Sequence, residues 1–311
     1  MRSLLLTGSS SLVGSDLVQR FSDRYVISAL GRKNIFSGGD CLTSFQELDI
    51  RNKAKVEEAV IASEADVVVN YAAKTDVDEC ERERENLSGD VYLINAIIPG
   101  LIASACRETG KKLIHLSTDF VFDGTSGPYY EADRSGPVMK NISWYGYSKS
   151  VAENAITSLL PEACIVRISY PYRARYDSKL DFARKILDLY QSDHLYPLFD
   201  DQIISPTLVD DVSFAIDLAI RSDLRGFYHV ASRDLTTPFQ FAGKLIQTIL
   251  PGSKKEIKKG SILEFASKIG KVPRPIRGGL LTHKIEKAGY VPHSVDEGIE
   301  ELRNQMKSKK G

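Results

Sequence analysis

A tyrosine and a lysine stand four residues apart in the segment Tyr145-Gly146-Tyr147-Ser148-Lys149, and Thr118 lies about 27 residues before the tyrosine. Residues four apart in a helix share one face, so the phenol and the ammonium would point the same way. A free phenol has a pKa of ~10, but a nearby cation favours the phenolate and makes the group a usable proton donor near neutral pH. With a threonine hydroxyl to hold a carbonyl oxygen, Thr118, Tyr145 and Lys149 are candidate catalytic residues for reducing a ketone beside a hydride donor.

The Tyr-x-x-x-Lys spacing alone is weak, because such pairs are common on the surfaces of helices. Its context strengthens it. The segment Ser117-Thr118-Asp119 follows an apolar strand candidate, and ligands bind at the carboxyl edge of a doubly wound sheet.

A glycine-containing turn joins the first strand candidate to the first helix candidate, in the segment Thr7-Gly8-Ser9-Ser10-Ser11-Leu12-Val13-Gly14. Gly8 would form the tight turn and Gly14 would let the helix pack close to the strand, so that backbone N–H groups face a pyrophosphate. Ser11 stands where a middle glycine is usual, and the alternative interpretation is a plain turn with serines as the helix cap. The candidate cofactor contacts here are Gly8, Ser10, Ser11, Leu12, Val13 and Gly14.

The end of the second strand candidate indicates which nucleotide is bound. It reads Gly31-Arg32-Lys33 and lacks the carboxylate that holds the ribose 2′-hydroxyl of NAD. Two adjacent cations suit a 2′-phosphate, which favours NADPH/NADP, with NAD possible and a solvated basic turn as the alternative. Asp49 and Ile50, which end a further short strand candidate, are also candidate cofactor contacts. So are Tyr71, Ala72 and Ala73, at the end of the strand candidate Ala65–Asn70, and Tyr145 and Lys149 on the later helix.

Short apolar runs alternate with helix-length segments through the first half of the chain. The predicted strands are Ser3–Leu6, Tyr25–Leu30, Ala65–Asn70, Lys112–Leu116 and Ala163–Ile168, and the predicted helices are Leu12–Phe21, Lys53–Ser63, Gly89–Thr109 and Tyr145–Leu160. Strands that are apolar on both faces belong to parallel sheets covered on both sides. The pattern predicts an α/β fold with a doubly wound, Rossmann-like parallel sheet, and a smaller, interleaved C-terminal domain built from the back of the chain.

Composition limits the partners. The 311 residues carry 41 Lys and Arg against 41 Asp and Glu, so we expect no nucleic-acid partner and no anionic membrane surface. We expect no membrane-spanning segment, because the apolar stretches fall short of the ~18 residues of a membrane span, and the first run is too short for the core of a signal peptide. The four cysteines are far apart, which predicts free thiols, no metal site and a cytoplasmic location.

With these residues in hand, the chain resembles the extended short-chain dehydrogenase/reductase superfamily, and within it the dTDP-4-dehydrorhamnose reductase branch. The resemblance covers nearly the whole chain. Its most specific segments are Ser117-Thr118-Asp119-Phe120-Val121-Phe122-Asp123-Gly124 and Asp201-Gln202-Ile203-Ile204-Ser205-Pro206-Thr207, besides the glycine loop and the tyrosine–lysine segment. Related sugar dehydratases carry a glutamate where this chain has Phe120, which weighs against dehydration.

The resemblance implies an NADPH-dependent reductase of a 4-keto-6-deoxy nucleotide sugar. A homodimer is the candidate assembly, and we assign no metal. Because the pattern changes after about residue 170, we predict an NADP-binding domain over 1–169 and 203–230 and a nucleotide-sugar domain over 170–202 and 231–311. The resemblance also implies a set of substrate contacts. We add Arg274, because it stands in the matching motif Arg274-Pro275 and arginine suits bidentate binding of phosphate. These substrate candidates are Thr75, Val77, Asp119, Phe120, Tyr170, Pro206, Thr207 and Arg274.

Two alternatives stay open. An epimerase or dehydratase would keep its nicotinamide cofactor bound and show no net oxidation. A non-catalytic homologue, similar to the regulatory β subunit of methionine adenosyltransferase, would keep the fold and copurify with a catalytic partner.

Overall fold

The computed structural model describes residues 1–36, 41–136, 138–176, 179–268 and 271–307. The strands are β1 Ser3–Thr7, β2 Val26–Gly31, β3 Ser44–Glu47, β4 Val67–Asn70, β5 Lys112–Thr118, β6 Cys164–Ile168, β7 Leu198–Phe199, β8 Gly226–His229 and β9 Lys259–Gly260. The centre of the fold is a parallel sheet in the order β3-β2-β1-β4-β5-β6-β8, and β7 and β9 form a separate parallel pair. The doubly wound parallel sheet predicted from the sequence is confirmed.

The apolar strands serve two cores, one on each face of the sheet. In β1, Leu4 and Leu6 enter one core while Leu5, between them, enters the other. Successive side chains of a strand point to opposite faces, so a strand buried on both sides has to be apolar throughout. This is why these strands show no polar alternation in the sequence.

Helices cover both faces. The segments are α1 Gly14–Phe21, α2 Lys53–Ala62, α3 Val77–Glu81, α4 Asp90–Tyr92, α5 Ile98–Thr109, α6 Trp144–Leu159, α7 Phe182–Gln191, α8 Val209–Arg221, α9 Pro238–Ile249, α10 Ile262–Ala266, α11 His283–Lys287 and α12 Val295–Lys307. Helices α2, α5 and α6 pack on one face of the sheet, and α1 and α8 pack on the other. Short 3-10 turns occupy Asp119–Val121 and Met139–Asn141.

The back of the chain builds a third core from α7, α9, α12 and β7. Helix α11 comes from the same part of the sequence, but it packs against β8 and contributes Ile285 to a core of the main sheet. The division into two domains at the boundaries given above stays a prediction.

The helix predicted over Gly89–Thr109 is interrupted. A π-helical segment, Leu93–Ile97, separates α4 from α5, and Pro99 follows it at the start of α5. Proline has no N–H to continue the hydrogen-bond ladder, which accounts for a local widening at this point. Within the described residues the run Asp90–Thr109 has the length and hydropathy of a membrane span, but most of it is buried inside the protein, between α2 and α6.

Candidate active site

A cavity of about 420 Å³ opens at the carboxyl ends of β1, β4, β5 and β6. In a parallel sheet these ends lie on one edge, which is the usual place for a ligand in a doubly wound fold. Its walls combine the loop after β1, the end of β5, the start of α6 and a loop that leads into α7. A cavity of this size falls in the range of small-molecule sites.

The loop after β1 turns sharply because of its glycines. Gly8 has a φ of +69°, and a Cβ there would lie 2.8 Å from the backbone nitrogen of Ala72. A Cβ on Gly14 would lie 2.5 Å from the carbonyl oxygen of Gly8, so this glycine lets α1 approach the strand. The hydroxyl of Ser11 accepts the N–H of Gly14 at 3.0 Å, which is the serine capping considered above. The loop therefore has both the tight glycine turn and a serine hydrogen bond at the start of the helix, and its contact with a pyrophosphate stays a prediction.

Thr118 ends β5, and Tyr145 is the second residue of α6. The Thr118 hydroxyl donates to a carboxylate oxygen of Asp119 at 3.2 Å and accepts the N–H of Phe120 at 3.3 Å. Burial raises the pKa of Tyr145 well above its usual value, and a hydrogen bond with Thr118 opposes this in part. The phenol therefore carries its proton in the free protein.

Lys149 lies one turn after Tyr145 in α6 and is only 2% exposed. Its Nζ donates to the carbonyl oxygen of Leu116 at 2.7 Å and lies 3.0 Å from Nε2 of His115. Burial lowers the pKa of Lys149 to about 7, with an opposing effect from Glu153. The Lys149 side chain therefore gains or loses its proton near neutral pH.

Asp119 places a buried carboxyl group in the cavity wall. One carboxylate oxygen accepts a hydrogen bond from the hydroxyl of Ser169 at 2.8 Å. The other accepts a hydrogen bond from the hydroxyl of Thr118. Burial raises the pKa of Asp119 to about 6, although these hydrogen bonds oppose the shift. It can therefore accept hydrogen bonds from hydroxyl groups of a ligand at neutral pH.

An ion pair behind the cavity supports the end of β5. Glu153 of α6 and Arg167 of β6 are fully buried, and they form two hydrogen bonds of 2.9 and 2.8 Å. The same carboxylate accepts the hydroxyl of Ser117 at 2.6 Å and that of Ser135 at 3.0 Å. The pair therefore ties the residue before Thr118 to α6, the helix that carries the tyrosine and the lysine.

Tyr170 shapes the opposite wall in a backbone conformation that is unusual for a tyrosine. Its φ is +42°, and its hydroxyl accepts a hydrogen bond from Nε2 of Gln202 at 3.2 Å. Its ring packs against Phe120 and Phe182, with centroids 6.2 and 5.0 Å away. Strain of this kind concentrates at ligand sites.

Arg274 reaches the rim of the cavity from the back of the chain. It donates to both carboxylate oxygens of Asp78 at 2.7 and 2.8 Å. Asp78 is largely exposed, so an anionic group of a ligand can compete with it for the guanidinium.

Most of the candidates from the sequence converge on this cavity. Its lining includes Ser11, Leu12, Val13, Tyr71, Ala73, Thr75, Val77, Thr118, Asp119, Phe120, Tyr145, Lys149, Tyr170 and Arg274. Ten candidates are not part of that lining: Gly8, Ser10, Gly14, Arg32, Lys33, Asp49, Ile50, Ala72, Pro206 and Thr207.

The structure explains several of these differences. Thr207, expected to touch the sugar, is fully buried and uses its hydroxyl to accept the N–H of Ser169 and to donate to the carbonyl oxygen of Val230. Pro206 sits beside it. Asp49 holds the guanidinium of Arg51, with its closest oxygen 2.6 Å away, and β3 ends two residues before it.

Sequence reasoning missed one wall of the cavity, formed by Tyr176, Lys179, Leu180, Asp181 and Phe182. Long-range contacts bring this wall to the site. Arg173 donates to the carbonyl oxygen of Leu12 at 2.9 Å. The hydroxyl of Tyr176 donates to the backbone carbonyl oxygen of Ser10 at 2.8 Å. The segment matches no chemical motif, and only the match of Tyr170 to the resembled family pointed to this region.

The comparison with known families decides the assignment. The model of the RmlD substrate binding domain matches residues 1–308. The chain belongs to this family. The match spans both the sheet and the third core. Within the described residues, no three His, Cys, Asp or Glu side chains form a group that could hold a metal ion.

Individual relatives agree with this membership. The chain is 32% identical over 250 residues to the probable low-salt glycan biosynthesis reductase of Haloferax volcanii, covering 78% of this chain and 79% of the relative. It is 33% identical over 242 residues to dTDP-4-dehydrorhamnose reductase of Mycobacterium tuberculosis, covering 76% and 72%. The crystal structure of dTDP-4-dehydrorhamnose reductase from Bacillus anthracis in complex with NADP superimposes with a TM-score of 0.80 at 27% identity, covering 98% of this chain and 99% of that one.

Proposed function

We propose that this chain is an NADPH-dependent reductase of a 4-keto-6-deoxy nucleotide sugar. The observation that carries the proposal is the meeting of Thr118, Tyr145 and Lys149 at one cavity, from two separate segments of the chain. Relatives that share the family reduce a substrate of this class, according to their names.

The buried phenol is suited to the reducing direction. Because Tyr145 keeps its proton in the free protein, it can donate that proton to the oxygen of a ketone as hydride reaches the carbon. The Thr118 hydroxyl would orient the same oxygen. Lys149, when protonated, favours the phenolate that remains after the donation.

The loop after β1 fits a dinucleotide. Ser11, Leu12 and Val13 line the cavity and lead directly into α1, so the positive end of that helix lies at the cavity wall. When bound there, NADPH would supply the hydride. Arg32 and Lys33 are exposed directly after β2 and are our candidates for the 2′-phosphate.

The substrate would lie between the strand ends and the loop leading into α7. Thr75, Val77, Phe120 and Tyr170 line this part of the cavity, and Asp119 offers an acceptor to sugar hydroxyl groups. Arg274 at the rim is the proposed partner of the diphosphate.

A turnover assay tests the proposal. Purified protein with NADPH and a dTDP-4-keto-6-deoxy sugar should oxidise NADPH in proportion to the alcohol formed. Tyr145→Phe should lose about 10²–10⁴-fold in kcat, the usual range for general acid catalysis. Tyr147→Phe is the matched control, because the ring of Tyr147 stacks on Trp144, with the two ring centroids 5.4 Å apart. Full turnover by Tyr145→Phe would remove the phenol from the mechanism.

The same assay separates the alternatives. An epimerase or dehydratase would convert the sugar without net oxidation of NADPH. A regulatory homologue would show no conversion and would copurify with a catalytic partner.

Cofactor preference has its own test. Removing a charged hydrogen-bond donor to phosphate costs roughly tenfold or more in affinity. Arg32→Ala should therefore raise the KM for NADPH by that factor and leave the KM for NADH unchanged. Equal effects on both cofactors would assign the 2′-phosphate to other residues.

The homodimer and the cytoplasmic location are further proposals, supported by the family resemblance and by the unpaired cysteines. Light scattering on the purified protein and fractionation of cells test them directly.

A further inference from the structure

A buried chain of hydrogen bonds runs behind the cavity from β1 to α6. The hydroxyl of Thr7 donates to Oδ1 of Asn70 at 2.6 Å, and Nδ2 of Asn70 lies 3.0 Å from Nδ1 of His115. Nε2 of His115 lies 3.0 Å from Nζ of Lys149. None of these four residues is more than 2% exposed. Since buried polar atoms without a partner are costly, the donors and acceptors of the chain must match one another.

A backbone group sets the direction of the chain. The N–H of Ala72 donates to Oδ1 of Asn70 at 3.2 Å. A backbone N–H can only donate, so the amide oxygen of Asn70 faces Ala72 and its NH₂ group faces His115. Nδ1 of His115 must therefore accept. A neutral imidazole that accepts at Nδ1 carries its proton on Nε2, and that proton points at Nζ of Lys149.

The lysine can complete this pattern in one protonation state. An ammonium has no lone pair and would meet the Nε2–H group with another N–H, whereas an amine can accept that proton and still donate to the carbonyl oxygen of Leu116. We propose that His115 is a positioning residue that Asn70 holds with its proton on Nε2, and that it thereby keeps Lys149 a neutral amine in the free protein.

The surrounding charges agree with this assignment. Burial lowers the pKa of Lys149, and the opposing carboxylate of Glu153 on the same helix is already paired with Arg167 of β6. Burial also lowers the pKa of His115 well below its usual value, and a charge on Lys149 would lower it further. On the cavity side, Tyr145 is protonated and neutral. The pair is therefore uncharged above the pKa of the lysine.

For catalysis the inference rests on the proposed function. A charged Lys149 favours the phenolate that Tyr145 becomes, so kcat/KM for reduction should fall as the pH rises through the pKa of the lysine in the free enzyme. His115→Gln offers the lysine an amide oxygen that accepts from an ammonium. This change should move the falling limb of the plot of kcat/KM against pH upward by about one pH unit, because one hydrogen bond then stabilises the ammonium instead of the amine.

Nuclear magnetic resonance of the wild-type chain tests the inference without any assay of activity. With ¹⁵N-labelled histidine and lysine, the ring of His115 should show its proton on Nε2. Above about pH 7, Nζ of Lys149 should have the ¹⁵N chemical shift of an amine. The Lys149 signal is assigned by its loss in Lys149→Met. A proton on Nδ1, or an ammonium that persists at about pH 9, would overturn the proposal.

The variants add a functional readout. His115→Gln, with circular dichroism to check the fold, should shift both the lysine titration and the falling limb upward. His229→Gln is the matched control, because it changes another buried histidine, on β8, whose Nε2 faces Arg167. A titration in His115→Gln that stays at the wild-type position contradicts the positioning role. If the resonances behave as expected but no sugar is reduced, the proposed function fails and the protonation pattern stands.

Discussion

Replacing Arg167 by methionine should destabilise the protein strongly. The guanidinium gives two of the four hydrogen bonds that the Glu153 carboxylate accepts, and the hydroxyls of Ser117 and Ser135 give the others. Both ions are buried, so the variant leaves a carboxylate in the interior with two neutral partners. Breaking such a pair costs about 3–5 kcal/mol, against a total stability of about 5–15 kcal/mol for ordinary proteins.

Equilibrium unfolding in urea measures this loss, with far-ultraviolet circular dichroism and tryptophan fluorescence compared to check for a single transition. The matched control is Arg225→Met, which breaks an ion pair with Asp223 in which both side chains are more than half exposed, and it should cost little because solvent screens such a pair. Adding Glu153→Leu to Arg167→Met should recover much of the loss, because no unpaired charge remains. If Arg167→Met costs no more than Arg225→Met, the buried pair does not hold α6 against the sheet as argued.

Two further predictions concern packing and pH. Gly146→Ala should lower the free energy of unfolding by about 1–3 kcal/mol and reduce turnover, because the new Cβ would lie 2.0 Å from the carbonyl oxygen of Phe120. Gly243→Ala, with open space around the new carbon inside α9, should raise the free energy of unfolding by about 0.5–1 kcal/mol. Thermal unfolding compares the two variants, and equal effects would refute the reasoning. A hydrogen bond with Asp211 raises the pKa of His293, so its stabilisation is complete below the ordinary histidine pKa of ~6.5 and is lost as the pH rises through the raised value. The stability difference between wild type and His293→Gln should therefore shrink as the pH rises from below the ordinary histidine pKa of ~6.5 through the raised value, and a constant difference would contradict the pairing.

The sequence was informative wherever local pattern and local chemistry coincide. Strands buried on both faces must be apolar throughout, and that pattern was readable without coordinates. The tyrosine and lysine of α6 share a face because of helical spacing alone, and Gly8 and Gly14 are required by the turn in which they stand.

The limits of each element were less readable, because they depend on single hydrogen bonds. Helix α7 begins at Phe182, because the carboxylate of Asp181 accepts the N–H of Arg184 and caps the helix there. The helix expected to run through Leu93 is interrupted by a π segment ahead of Pro99.

What joins residues far apart in the chain was decided by tertiary structure. Tyr176 belongs to the cavity wall because its hydroxyl reaches the loop after β1, 166 positions earlier in the sequence. His115 is not among the candidate site residues predicted from the sequence, yet it is buried and contacts Lys149. A sequence pattern records which side of an element is buried, whereas the partner that a buried polar atom finds depends on how separate elements pack.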